Sequence, residues 1–167
     1  MLKTNIIVTL YIDLEVRMKY WIISITEENW YMVKESSVYG APESQRFKGP
    51  TDLIKPGDVL IFYVKKTGSK RLGGKFVGAF KVTSTWYKED KPLWPDEVRE
   101  GKVKYPWRAR LEPIKLGLAD FEKLVPELTF IVKKERAAAY LVGTPANLRR
   151  PIPEEDASLI IKSLSET

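Results

Sequence analysis

The chain has 167 residues, 44% hydrophobic and 30% charged, enough for one sizeable core. No stretch reaches the roughly 18 uncharged apolar residues that span a bilayer. It has neither cysteine nor histidine, which excludes disulfides, thiolate nucleophiles, Cys-ligated zinc and the usual general base near neutral pH. The net charge of +6 is uneven: residues 1–17 sum to zero, residues 151–167 to −3, and residues 18–150 to +9. A basic body with an acidic last segment fits a polyanionic partner, although a solvated lysine-rich face gives the same balance. Three Asn and one Gln beside many Lys and Glu suit a heat-adapted source.

Residues 1–17 alternate Ile6, Val8, Leu10, Ile12, Leu14 and Val16 with mostly polar positions, a strand period. Asp13 and Glu15 interrupt the apolar run, so a signal peptide is not expected. The segment reads as an extension: an added edge strand, or a stretch upstream of an alternative start at Met18. An unpaired edge strand invites association, so it is the candidate for homodimer pairing. Residues 18–167 read as the domain proper.

Residues 20–25 read as a buried strand. Thr26 is a helix N-cap, with Glu27 and Glu28 opening a helix to about residue 35. Residues 38–49 read as a loop around Gly40, Pro42 and Gly49, followed by a helical turn at 51–54. Pro56-Gly57-Asp58 is a turn that launches a strand over 59–65. A basic, glycine-bearing hairpin loop over 65–74 leads to a return strand at 75–87. A loop and helical turn begin at Pro92-Leu93-Trp94-Pro95-Asp96, and another strand spans 103–114. Residues 120–128 are helical in pattern but interrupted by Pro126. Pro153-Glu154-Glu155-Asp156 opens a last helix with Leu159, Ile160 and Leu164 on one face. Long strands and short helices without a βαβ rhythm predict an α+β fold around a small mixed or antiparallel barrel.

No phosphate loop, dinucleotide fingerprint, serine elbow or metal-ligand spacing is present, so no cofactor or metal site is expected. Glu89-Asp90-Lys91 reads as a solvated turn. Trp21, Phe62, Phe76 and Phe80 read as core. Tyr39 and Trp94 fall in glycine- or proline-bearing stretches. There they either stack on an unpaired base beside the basic hairpin or fold back as plugs over the barrel end.

Tyr20-Trp21-Ile22-Ile23, the Asn29-Trp30 pair, Val59-Leu60-Ile61-Phe62-Tyr63, the Lys/Gly loop and Gly74-Lys75-Phe76-Val77-Gly78-Ala79-Phe80 together resemble the EVE domain family over about residues 18–165. The central hairpin is also similar to that of YTH domains, related readers of N6-methyladenine in RNA. The resemblance implies a PUA-like mixed or antiparallel β-barrel flanked by short helices, with a pocket for a flipped-out, modified nucleobase. It places Tyr39, where the YTH pattern has Trp, and Trp94 as cage aromatics. Ser24 and Asn29 become polar contacts to the base, and Gly40 a point of close backbone approach. Trp30 and Phe62 complete the base-binding set. Lys65, Lys66, Lys70, Arg71 and Lys75 are assigned to phosphate, with Arg108 and Arg110, which alternate on one strand face, as a second choice.

The expected function is therefore a cytoplasmic, non-catalytic binding module for a nucleic acid, RNA favoured over DNA, with no membrane partner. The alternative is a small enzyme on modified nucleosides, an ASCH-like amidohydrolase using Lys75 and a carboxylate. The Gly-x-Lys-x-x-Glu-x-Arg run of that family is absent. A protein-interaction module with a merely hydrophobic pocket is a third possibility.

Overall fold

A computed structural model of the protein describes residues 18–43, 50–141 and 150–165. The extension 1–17, and the dimer pairing expected of it, lie outside these residues. The elements in chain order are β1 (Tyr20–Ile25), α1 (Glu27–Ser36), β2 (Val38–Ala41), α2 (Pro50–Leu53), β3 (Val59–Val64), β4 (Lys75–Val82), β5 (Tyr87–Lys88), α3 (Pro95–Glu100), β6 (Trp107–Asp120), α4 (Phe121–Leu124) and α5 (Glu154–Ser163), with 3-10 turns at Val125–Glu127 and Lys134–Tyr140. Among the described residues no helix is long and apolar enough to cross a membrane.

The strands form one mixed sheet in the order β1-β3-β4-β6-β2, with β5 also on β6. Among the described residues only the β1–β3 pair is parallel, from Tyr20 opposite Val59 to Ile25 opposite Val64; the other pairs are antiparallel. The 14-residue β6 links β4 to β2 and β5. Residues 107–110 pair with β2, and residues 111–120 pair with β4. Register shifts along β4–β6, between Phe76 and Gly78 and between Ala79 and Phe80, add the local twist that bulges bring. The sheet curls into a half-barrel with short helices against it, as the expected α+β class requires.

Every residue of β3 is buried, because both sheet faces are covered. Leu60, Phe62 and Val64 pack inside the curl with Trp21, Trp30 and Phe80. Val59, Ile61 and Tyr63 pack on the outer face with Phe121, Ile131 and Ile160, under α4 and α5. Gly78 on β4 allows this packing: an added Cβ there meets the Trp30 ring at 2.9 Å. The Pro56-Gly57-Asp58 turn is stapled by its own acid. The buried Asp58 carboxylate accepts the Lys19 and Lys55 N–H groups and the Trp21 indole N–H, each at 3.0 Å.

The structure corrects three boundaries. Residues 38–41, expected in a loop, form β2, because the Arg108–Arg110 stretch of β6 offers them a ladder, with Tyr39 opposite Ala109. The return strand ends at Val82 rather than 87, and Tyr87–Lys88 rejoins separately as β5. In between, the Trp86 indole N–H donates to the Ile54 carbonyl at 3.1 Å. The strand expected over 103–114 starts late and runs on to Asp120. Its first N–H groups, of Lys104 and Tyr105, are taken by the Glu97 carboxylate. Pro113, which lacks an N–H, is absorbed at a register shift opposite Phe80.

Candidate functional site

The end of β1, the first turn of α1, β2 and the start of α3 converge on a cavity of about 130 Å³. Ser24, Ile25, Thr26, Asn29, Tyr39, Gly40, Pro42, Lys65, Trp94 and Tyr105 line it. The volume is close to the roughly 150 Å³ at which an apolar cavity accepts a benzene ring.

Local sequence explains the walls. Thr26 caps α1, its hydroxyl accepting from Asn29 N–H at 3.4 Å, which sets Asn29 in the first turn beside the cavity. Glu27 turns the other way and accepts the N–H groups of Lys70, Arg71 and Leu72 at 3.1, 2.9 and 2.5 Å. The Leu72 hydrogen bond, outweighing the cost of burial and helped by those from Arg71 and Lys70, holds the Glu27 carboxyl below its usual range. One carboxylate thus fixes the basic hairpin loop against the helix start.

Trp94 is the N-cap of α3. Glu97, fully buried, grips that corner from both sides: Oε1 accepts from Leu93 and Trp94 N–H at 2.8 and 3.1 Å, and Oε2 from Lys104 and Tyr105 N–H at 2.8 and 3.0 Å. The Arg108 guanidinium lies 5.1 Å from the Trp94 ring centre, and the Tyr105 ring meets Trp94 edge-on at 5.5 Å. The tip of the indole rests on Gly40, where an added Cβ would come within 2.3 Å of it. Only glycine admits the ring there.

Asp96 holds the polar wall. Its Oδ2 accepts from the Tyr105 hydroxyl at 2.6 Å, the Asn29 amide at 3.3 Å and Lys104 Nζ at 3.4 Å. Burial works against its charge, but the hydrogen bonds from Tyr105 and Asn29 and the nearby Lys104 outweigh it and keep the carboxyl below its ordinary range. Burial, then the bond to Asp96, raises the Tyr105 hydroxyl. Among the described residues, two buried side-chain atoms have no hydrogen-bond partner, Asn29 Oδ1 and Tyr39 Oη. Both residues line this cavity.

Of the expected base-binding residues, the structure brings together Ser24, Asn29, Tyr39, Gly40 and Trp94. Ser24 Oγ, however, donates to the Leu141 carbonyl at 2.5 Å, so that hydroxyl is engaged on the outer side of β1. Trp30 and Phe62 do not line the cavity: they pack on each other at 5.5 Å inside the curl. Tyr39 and Trp94 are not exposed loop aromatics, each being only 3% exposed. Tyr39 stands on β2 and meets Phe62 and Trp86 edge-on at 6.0 and 5.9 Å. Its ring serves as plug and as cavity wall at once.

The expected phosphate residues divide in the same way. Lys65 lines the cavity, and Lys70 and Arg71 are exposed on the pinned loop. Lys66 pairs with Glu122 at 2.8 Å and Lys75 with Asp120 at 2.6 Å; neither lysine lines the cavity. Arg110 is exposed, with its guanidinium 5.7 Å from the Tyr87 ring centre. Arg108 is not available as a phosphate contact. It is buried, donating to the Lys91 and Tyr105 carbonyls, and sits 3.5 Å from Glu97. Sequence reasoning missed Asp96, Glu97 and Tyr105; the one available signal was a Glu three residues after the Trp94 cap.

The model of the EVE domain family matches residues 19–163. The chain belongs to this family. A UPF0310 protein of Saccharolobus solfataricus is 39% identical to this EVE domain protein over 150 residues, spanning 90% of this chain and 97% of that one. A UPF0310 protein of Pyrococcus horikoshii is 37% identical over 150 residues, 88% of this chain and 99% of that one. Among solved structures, the YTH domain of Zygosaccharomyces rouxii MRB1, in complex with N6-methyladenosine RNA, superimposes with a TM-score of 0.59 at 13% identity, over 87% of this chain and 86% of that one. The Pho92 YTH domain, in complex with m6A, gives 0.55 at 15% identity over 87% and 84%. At these identities the likeness is one of fold.

Proposed function

We propose that this EVE domain is a non-catalytic module that takes one nucleobase of an unpaired strand, RNA in preference to DNA, into the cavity between Tyr39 and Trp94. The observation that carries the reading is the pairing of aromatic walls with two buried, unpartnered polar atoms, Asn29 Oδ1 and Tyr39 Oη. A buried polar atom without a partner costs about 1–3 kcal/mol. A protein that keeps two such atoms beside one cavity gains that back when a ligand with a polar edge arrives. Aromatic contact adds about 1–3 kcal/mol per stacked base. The YTH structures of like fold hold N6-methyladenosine RNA and m6A, which supports a base, and a modified one, as the ligand.

The strand's phosphates would meet Lys65 at the cavity wall and Lys70 and Arg71 on the loop fixed by Glu27. Arg110 extends this set. Lys66 and Lys75 contribute field rather than direct contacts while paired with Glu122 and Asp120. The Lys75–Asp120 pair is the lysine–carboxylate combination that an amidohydrolase reading needs, but neither residue lines the cavity.

Fluorescence anisotropy with short single-stranded RNA and DNA, each with and without a modified base, tests the proposal. Binding should favour unpaired RNA and weaken with salt, log K falling by about 0.7 per neutralised phosphate for each unit of log salt. Equal, negligible binding to every oligonucleotide at low salt would end it.

A further inference from the structure

We propose that Asp96 is a positioning residue that sets the selectivity of this cavity: by taking the Asn29 amide N–H it leaves Asn29 Oδ1 as a fixed acceptor, so the site selects heterocycles that keep an N–H on the edge they present. The inference rests on the base-binding reading above and names the chemical class that the cavity accepts.

An asparagine amide has an oxygen end that accepts and a nitrogen end that donates, and rotation about the last side-chain bond exchanges them. Here that exchange is blocked by electrostatics. Asp96 Oδ2 is an ionised acceptor on which the Tyr105 hydroxyl, Lys104 Nζ and Asn29 Nδ2 converge. Turning Asn29 over would set its oxygen against that carboxylate, acceptor facing acceptor. Asp96 is itself held, since its other oxygen accepts from Glu97 N–H at 2.9 Å. Asn29 Oδ1 is thereby held on the side away from Asp96, and it has no partner among the described residues although Asn29 lines the cavity. Tyr39 Oη does not impose the same demand. Burial raises the Tyr39 hydroxyl well above its ordinary value, so it stays neutral and can either donate or accept. Asn29 is therefore the group that discriminates.

A methyl series on the exocyclic amine isolates this demand. On apolar burial alone, each methyl added to adenine N6 or cytosine N4 tightens binding by roughly fourfold. The first methyl leaves one N–H for Asn29; the second removes it and strands Oδ1. Affinities are measured for RNA oligonucleotides carrying the unmodified, monomethyl or dimethyl base at one unpaired position, with wild-type protein, Asp96→Asn and Asn29→Leu. For wild type the dimethyl base should bind more weakly than the monomethyl base by about sevenfold, the cost of a stranded acceptor less the roughly fourfold gain of the methyl. In Asp96→Asn, where the Asn29 amide is free to turn over, the gap should shrink to about twofold or less. A purely structural role for Asp96 would weaken all members alike and leave the ratio untouched. That result, in a variant whose thermal midpoint shows it folded, overturns the inference. Should Asp96→Asn fail to fold, Asn29→Leu reads the acceptor directly, and a retained gap there overturns it equally. Wild-type binding without a break at the dimethyl base refutes the selectivity and leaves the base-binding reading standing. No wild-type binding to any member refutes both.

Discussion

Removing one oxygen atom should make this protein more stable and less able to bind. Tyr39 Oη is buried with no protein partner among the described residues. Tyr39→Phe deletes it and leaves the ring on Phe62 and Trp86. A buried tyrosine with a bonded hydroxyl loses stability on this change; here the change removes a desolvation penalty of about 1–3 kcal/mol. Against that stands the missing dispersion of one atom, about 0.1–0.2 kcal/mol for each atom it touches. The net is a stabilisation of about 1 kcal/mol or more, which in a domain of this size raises Tm by roughly 2–4 °C per kcal/mol. Affinity should move the opposite way, by about three- to tenfold, because the ligand loses a hydrogen bond. Differential scanning calorimetry and oligonucleotide titration on the same preparations read both. A Tyr39→Phe protein that melts lower than wild type, or binds equally well, would refute the idea that this hydroxyl is kept for a ligand.

Gly40→Ala places a Cβ 2.3 Å from the Trp94 ring, so the indole must shift against Arg108 and Tyr105. Overpacking of this kind costs about 1–3 kcal/mol, and calorimetry should show that loss together with at least tenfold weaker base binding. Glu27 has a folded pKa held below its unbonded value of 4.5 by the N–H groups of Leu72, Arg71 and Lys70. A lowered carboxyl stabilises the fold in full above its unfolded pKa and loses that contribution as pH falls through the folded value. The protection factors of the Lys70 and Arg71 amides, taken against intrinsic exchange at each pH, should therefore be highest near neutral pH and fall in acid. In Glu27→Gln they should be lower near neutral pH and lose that pH dependence. Replacing Lys65, Lys70 and Arg71 together by Ala should flatten the salt dependence of RNA binding, by about 0.7 in slope for each phosphate no longer neutralised, while preference among bases is unchanged.

Strong local patterns made β1, β3 and α5 legible. An all-apolar run after Pro56-Gly57-Asp58 and a Pro-Glu-Glu-Asp helix start are written in contiguous residues. β2 was not legible, because Val38–Ala41 becomes a strand only through the ladder that β6 offers from about 70 positions later. Resemblance put Asn29, Tyr39, Gly40 and Trp94 at one place, and the fold brings these four to one cavity. Alternation put Arg108 and Arg110 on a common strand face, yet burial separates them, since Glu97 and the Trp94 ring draw Arg108 inward. In the sequence Asp96 stood only as the end of the Pro92-Leu93-Trp94-Pro95-Asp96 signal for a loop and helical turn. Its hold on Asn29 depends on α3 packing beside α1, a hydrogen bond between segments 67 residues apart.

The central claim is that a single base occupies the cavity, and an abasic substitution tests it most directly. One oligonucleotide that binds is remade with each unpaired nucleotide in turn replaced by an abasic residue, keeping every phosphate. At one position the loss should be tenfold or more, as expected when a stacked and hydrogen-bonded base is removed. In Trp94→Ala the same abasic change should make little further difference. Equal affinity for all the abasic strands would mean that the protein holds only the backbone, and the cavity would have no part in recognition.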